Sequence, residues 1–211
     1  MSVNATEEQE SDPIDASGRS IDTERLAELY ALLSRPFEHP DGPFVEAVNG
    51  GRFETALRER TDPLSVTVDP PPSLGDGRQP REAYLSTFES FDGPYASPVE
   101  SVYKEWWDGT KREITAGPAA HDMRRRYEAI DAEIPAAYPP DHVALLLEYG
   151  SLLLEAGDVE EYARFHGAHF DWIPEFVDDV ERTADSAFYQ WAARTLETVL
   201  DATAQAVIDH E

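Results

Sequence analysis

The sequence contains no cysteine, only two lysines and no long apolar run. Without cysteine the chain has no disulfide, no thiolate for a metal and no cysteine nucleophile, as is common in cytosolic proteins. Its most apolar stretch, residues 143–154, is shorter than a membrane span and contains Glu148. The first residues, MSVNATEEQESD, are acidic and polar, whereas a signal peptide is basic and then apolar. We therefore expect a soluble cytoplasmic protein with no stable membrane insertion.

Positive charge is also scarce. The 211 residues include 43 Asp plus Glu against 17 Lys plus Arg, a formal net charge of −26. Such a charge opposes compaction at low salt, whereas molar salt shortens the Debye length to about 3 Å and removes most of the repulsion. The acidity indicates adaptation to a salty, halophilic cytosol, with a surface that binds a basic partner as the alternative. We expect no nucleic-acid partner, because the basic run at residues 124–126 is too short to bind phosphates.

Apolar residues recur at helical spacing through most of the chain. Leu26, Leu29 and Leu33 follow such spacing before Pro36 ends the run, and a longer stripe follows Asp141. No convincing alternation of the kind that marks a β-strand appears. The pattern predicts an all-α protein, a single multi-helix bundle over residues 21–211.

Two segments lack this periodicity. Residues 1–20 are polar and acidic, which predicts a flexible tail. Residues 62–80 contain three consecutive prolines at 70–72, flanked by Pro63 and Pro80, and these remove backbone donors and forbid a long helix. We expect this second segment to be a Pro/Gly-rich surface loop.

Catalytic and metal-binding patterns are few. No histidine has a glutamate three residues before it, as a di-iron bundle requires, and no phosphate-binding glycine loop or Gly-x-Ser-x-Gly elbow is present. His166 and His169 lie one helical turn apart near Asp171 and suit zinc only with an outside ligand. That alternative is a metal-dependent helical enzyme. Ordinary hydrogen bonding by the pair is the simpler interpretation, with no catalytic residue, metal or cofactor.

Two short segments place polar side chains near predicted helix starts. In YPPDH, residues 138–142, the prolines up to Pro140 fix an extended approach, Asp141 is positioned to cap the helix, and His142 falls in its first turn. Glu100 and Tyr103 lie one turn apart in ESVY. Either pair lines a groove or simply stabilises the bundle, and spacing alone leaves both interpretations open.

Four segments occur in the order and spacing of a known family. They are ESVY at 100–103, PPDH at 139–142 before an apolar helix, FHGAHFDWIPEF at 165–176 and AFYQWAA at 187–193. This series resembles the TorD/DmsD/NarJ family of molybdoenzyme maturation chaperones over roughly residues 22–205. One departure is that Tyr127 leads into Glu128, where the family often has glycine.

The resemblance implies an all-helical TorD-like fold and a cytosolic role. Since no enzyme motif is present, we expect no enzymatic activity, and we expect a monomer or homodimer. The resemblance also implies binding of the twin-arginine signal peptide of a molybdopterin oxidoreductase catalytic subunit until the cofactor is inserted, with Asp141 and His142 lining the site. A general helical interaction scaffold is the other alternative.

A peptide with an arginine pair and an apolar stretch requires carboxylates beside an aromatic-lined groove. The candidate residues are Glu100, Tyr103, Trp106, Trp107, Pro140, Asp141 and His142. Burying about 600 Å² of apolar surface gives on the order of 15 kcal/mol before ordering costs. An exposed Arg–carboxylate pair adds roughly 0 to 1 kcal/mol. We expect hydrophobic contact to dominate the affinity.

Overall fold

The computed structural model describes residues 22–75, 78–90, 93–112 and 116–208. Within these ranges the chain forms ten α-helices, two short 3-10 turns and no strand, with isolated β-bridges as the only β pairing. The helices are α1 Thr23–Ser34, α2 Gly42–Asn49, α3 Arg52–Thr61, α4 Pro80–Phe88, α5 Glu100–Tyr103, α6 Pro118–Ala129, α7 Val143–Glu155, α8 Val159–His169, α9 Ile173–Thr183 and α10 Ala187–Ile208. The all-α prediction is confirmed. The predicted tail, residues 1–20, lies outside the described ranges.

The bundle is organised around the packing of α1 against α7. The carboxylate of Asp22 caps α1 by accepting the Arg25 N–H at 3.0 Å, and the apolar stripe of α1 is buried. Gly150 of α7 faces Tyr30 of α1, where a Cβ atom would lie 3.0 Å from the tyrosine ring. Glycine at this position therefore lets the two helices approach closely.

An aromatic core joins the N-terminal half of the chain to α9 and α10. The ring of Phe88 lies 5.9 Å from Phe37, 6.1 Å from Phe176 and 5.0 Å from Tyr189, and all four side chains are buried. Ring pairs at such separations add about 0.5–1.5 kcal/mol each to the burial of their surface. This core fixes α9, which forms one flank of the candidate site.

The proline-rich segment after α3 has no helix over residues 65–75 but is attached to the bundle at two points. The Trp191 indole donates to the Asp69 carbonyl at 2.8 Å. Leu74 is buried, and its backbone N–H and carbonyl pair with the Asn49 side chain at 2.9 and 3.0 Å. These contacts satisfy backbone groups that the prolines leave without a helical partner.

Among the described residues, no helix combines the length and the hydrophobicity needed to cross a bilayer.

Candidate functional site

The short helix α5 is joined to the end of α8 inside the protein. His169 Nδ1 lies 2.7 Å from a Glu100 carboxylate oxygen, and both side chains are almost completely buried. One turn further along α5, the Tyr103 ring stacks on Trp172, with 5.1 Å between the ring centroids and 21° between the planes. Two of the four family-like segments, ESVY and FHGAHFDWIPEF, therefore pack directly on each other.

The start of α7 supports α5 from the other side. The Asp141 carboxylate accepts the Ser101 N–H at 2.8 Å, and the Asp141 carbonyl accepts the Glu100 N–H at 3.1 Å. Val99 and His142 form an isolated antiparallel bridge. Because these bonds connect PPDH to ESVY, three of the four family-like segments meet around α5.

The predicted cap of α7 is wrong by one residue. His142 is the N-cap, and its Nδ1 accepts the Ala144 N–H at 3.2 Å. Asp141 lies before the helix, where the Ser101 N–H occupies its carboxylate instead. The helix begins one residue later than the sequence pattern indicated.

The expected open groove beside residues 141 and 142 is absent from the described conformation. Asp141 is 0% exposed and His142 is 3% exposed, and Pro140 is also buried. The segment before α5 covers them, since the Val143 N–H bonds to the Pro98 carbonyl at 2.9 Å. In this conformation these residues position α5, and direct contact with a peptide stays a prediction.

Burial shifts the ionisation of both residues at this turn. Loss of solvent lowers the pKa of His142 to about 3, with a further contribution from the charge of His39. The imidazole is therefore neutral at physiological pH, which suits its role as an acceptor at the N-cap. Burial raises the pKa of Asp141, although the hydrogen bonds from Ser101 act in the opposite direction.

A network of charges surrounds the Glu100–His169 contact. Lys104 Nζ lies 2.9 Å from Glu100 and 2.7 Å from Asp171, and it also donates to the Ala168 carbonyl. Beyond His169, Nε2 of the imidazole lies 3.1 Å from an Asp122 carboxylate oxygen. The network thus joins α5, α6 and α8.

Arg126 completes the outer end of this network. Its guanidinium lies 2.7 Å from both Asp122 and Glu161. Partial burial of Asp122 opposes ionisation, but the hydrogen bonds and charges of Arg126 and His169 prevail and lower the pKa of Asp122. The lowered pKa keeps Asp122 ionised beside the Arg126 guanidinium.

The zinc alternative finds no support in this geometry. Both ring nitrogens of His169 already face carboxylates, those of Glu100 and Asp122. His166 lines a separate cavity between α8 and α10. Across the described part of the chain, no three His, Asp or Glu side chains are grouped as a metal ion would require.

The two adjacent tryptophans lie outside this interior, on a tight hairpin over residues 105–111. Trp107 is 73% exposed. Trp106 packs against Gly117, where a Cβ atom would lie 2.8 Å from the indole, and the Arg112 guanidinium lies 4.6 Å from its centroid. Lys111 attaches the hairpin to Glu175 of α9 at 2.6 Å. Trp106 thus anchors the hairpin, and Trp107 presents an apolar ring to solvent.

A cavity of about 290 Å³ opens next to Tyr103 on the same flank of α9. Pro94, Tyr95, Val102 and Asp179 line it with Tyr103, and Tyr95 is 46% exposed. The Tyr103 hydroxyl donates to the Asp179 carboxylate at 3.3 Å.

Acidic side chains link this cavity to the hairpin. Asp179 follows Glu175 by one turn of α9, so the cavity and the hairpin that Lys111 attaches to Glu175 are neighbours. We call the cavity-lining residues, the exposed indole of the hairpin and the two acids of α9 together the α9 flank: Pro94, Tyr95, Val102, Tyr103, Trp107, Glu175 and Asp179.

Sequence reasoning found Tyr103 and Trp107 of the α9 flank and missed Tyr95, Glu175 and Asp179. It also missed His169 as the partner of Glu100, although His169 lies in a segment that resembles the family. Asp122 belongs to none of the four segments, so no sequence signal pointed to it.

The all-helical fold is shared with a protein of known structure. It resembles the crystal structure of a candidate redox enzyme maturation protein from Archaeoglobus fulgidus with a TM-score of 0.51 and 22% sequence identity, over 87% of this chain and 96% of the other. No curated protein matches the sequence significantly. Residues 55–180 match the family model named nitrate reductase delta subunit. The chain belongs to this family, which is the NarJ/TorD-type chaperone family, and the resemblance stated above is confirmed.

Proposed function

We propose that this protein is a cytoplasmic chaperone, without catalytic activity, that binds the twin-arginine signal peptide of a molybdopterin oxidoreductase catalytic subunit. It holds the precursor while the cofactor is inserted, before export or assembly. Membership of the family supports the general role. The observation that carries the specific proposal is the α9 flank, where exposed aromatic rings stand beside carboxylates.

The apolar stretch of the peptide contacts Trp107, Tyr95 and the cavity next to Tyr103. A large aromatic side chain that becomes buried at an interface commonly contributes 2 kcal/mol or more. Trp107 and Tyr95 are the exposed rings of this surface, at 73% and 46% exposure. Hydrophobic contact therefore supplies most of the affinity, and we expect binding to persist in molar salt.

The arginines of the peptide interact with Glu175 and Asp179. These carboxylates are at present paired with cations of the same chain, since Lys111 contacts Glu175 at 2.6 Å and Arg182 contacts Asp179. Binding then exchanges one partially exposed ion pair for another. The net gain is roughly 0 to 1 kcal/mol for each pair, so the acids contribute selectivity more than affinity.

The buried members of the predicted site act as a support. Glu100, Asp141 and His142 hold α5, which carries Tyr103 at the edge of the cavity. Substitutions at these positions affect the peptide through the placement of Tyr103, unless the segment before α5 moves away.

The proposal is tested by affinity capture of the tagged protein from the cytosol of its native host. We expect the wild-type protein to retain an oxidoreductase precursor that still has its twin-arginine leader, identified by mass spectrometry. A variant with Trp107→Ala and Tyr95→Ala should capture much less, whereas the exposed control Glu59→Gln should behave as wild type. Equal capture by both variants, or recovery of no such precursor, would refute the proposal and favour a general scaffold.

A further inference from the structure

A second cavity, of about 240 Å³, lies between α8, the start of α9 and α10. Phe170, Ile173 and Leu200 form apolar walls, and all three are buried. Glu197 and Asp201, one turn apart on α10, add two carboxylates to the same lining. The cavity is thus an apolar slot with negative charge along one side, and it is separate from the α9 flank.

Glu197 and Asp201 differ from the carboxylates of the α9 flank in their ion pairing. Within the described ranges, Glu197 and Asp201 take part in no ion pair, unlike Glu175 and Asp179 of the α9 flank. Burial raises the pKa of Glu197, and the negative charge of nearby Asp201 adds to the effect. A bound cation would relieve this repulsion.

His166 adds a buried polar atom to the lining of the cavity. Nε2 of His166 is buried and has no hydrogen-bond partner among the described residues. Burial lowers the pKa of His166, although the Leu200 carbonyl and the negative charge of Asp201 act in the opposite direction. Its centroid lies 5.2 Å from that of Phe170, which gives the cavity two aromatic rings.

We propose that this cavity binds a further arginine side chain of a polypeptide client, distinct from the leader arginines that contact Glu175 and Asp179. The planar guanidinium is weakly hydrated, stacks on aromatic rings and contacts two carboxylates at once, whereas an ammonium group keeps its water more strongly. The aliphatic stem of the arginine packs against the apolar walls formed by Ile173 and Leu200. The client assignment rests on the proposed function, but preference for a guanidinium in this cavity is a property of the chain alone.

The cavity is connected through Asp171 and Lys104 to the α5 junction, by which we mean Glu100 with its partners His169 and Lys104. Asp171, which also lines the cavity, is held by Lys104 at 2.7 Å, and Lys104 binds Glu100 at 2.9 Å. A polypeptide that contacts α5 is therefore close to the cavity, separated from it by a single lysine.

The first experiment uses a small probe and needs no client. N-acetyl-arginine methylamide is titrated into the full-length protein at the lowest salt that retains the fold, and the Leu200 methyl and Gly167 amide signals are followed by NMR. N-acetyl-citrulline methylamide, which has nearly the same shape and no charge, is the matched control. We expect saturable shifts with the arginine probe and at least tenfold weaker binding of the citrulline probe. Equal binding of the two, or no shift at these residues, would overturn the proposal.

Two variants locate the site. Glu197→Gln combined with Asp201→Asn should weaken arginine binding at least tenfold, while Glu59→Gln combined with Glu155→Gln, which removes the same charge from exposed positions, should not. Gly167→Leu tests the cavity itself, because a Cβ at Gly167 meets no atom within 4 Å and leucine favours a helix more than glycine does. It should block the probe and keep the fold. Unchanged binding in the Gly167→Leu variant would place the probe elsewhere.

The outcomes separate this proposal from the preceding one. Binding of the arginine probe with no capture of an oxidoreductase precursor would leave the cavity assigned and reject the proposed client. Capture of the precursor that depends on Trp107, without any preference for arginine over citrulline, would support the proposed client and reject the arginine site in the cavity.

Discussion

The α5 junction and the hairpin at residues 105–111 are only a few residues apart in the chain and differ in almost every physical respect. At the junction, Glu100 is buried and contacts both His169 and Lys104. On the hairpin, Trp107 is an apolar ring that is 73% exposed. The difference separates two roles within one predicted site: the junction fixes the geometry, and under the proposed function the hairpin contacts the partner. Substitutions in the first should lower stability, and substitutions in the second should lower binding.

The largest effect is expected from Glu100→Ala. It leaves Lys104 without its innermost partner and His169 without one of its two carboxylates. Removing one partner of a buried ionic contact costs about 3–5 kcal/mol. For a chain of this size that lowers Tm by roughly 10 °C. Denaturant unfolding in molar KCl, followed by circular dichroism, measures the change.

The control for this variant comes from the same stretch of chain. Glu105 is exposed and takes part in no ion pair among the described residues. Glu105→Ala should alter the unfolding free energy by less than about 0.5 kcal/mol. If the two alanine variants lose similar stability, the distinction between junction and surface is wrong.

An intermediate effect is expected at His142 and depends on pH. The pKa of His142 is about 3 in the folded protein against an ordinary histidine value of 6.5, so the folded state binds fewer protons. The contribution of neutral His142 to the unfolding free energy is complete above pH 6.5 and is lost as the pH falls towards 3. Between pH 7 and pH 5 the loss amounts to about 2 kcal/mol. His142→Asn keeps an N-cap acceptor and removes the titration, so its unfolding free energy should fall less steeply over this interval.

His121→Asn provides the comparison, since His121 is exposed on α6. It should retain the wild-type dependence on pH. Identical pH profiles for wild type and His142→Asn would show that His142 is not buried in solution, and the turn before α7 would then be open.

The smallest effect on stability is expected at Trp107. Because its side chain is mostly exposed, Trp107→Ala should change the unfolding free energy by less than about 0.5 kcal/mol. Thermal unfolding measures it directly. A loss above 2 kcal/mol would mean that the ring packs into the bundle.

Local pattern was enough to predict the helical bundle. The spacing of Leu26, Leu29 and Leu33 placed α1 correctly, because a single buried face repeats with the helical period. The cap of α7 was assigned to Asp141 instead of His142, since both residue types accept hydrogen bonds and sequence does not distinguish them.

The organisation of the candidate site needed tertiary structure. Glu100 and His169 are 69 residues apart, and nothing local to either one indicates their contact. Similarly, the burial of Asp141 results from the approach of Ser101, which is 40 residues away. The acids of the α9 flank were missed because α9 carries many acidic residues and only packing selects those beside Tyr103.

The central claim is tested most directly by isothermal titration calorimetry in molar KCl with the leader peptide of the captured precursor. Trp107→Ala should weaken binding by about thirtyfold, which corresponds to about 2 kcal/mol, while Glu105→Ala should bind as tightly as wild type. Equal affinity of the peptide for wild type and Trp107→Ala would contradict the account.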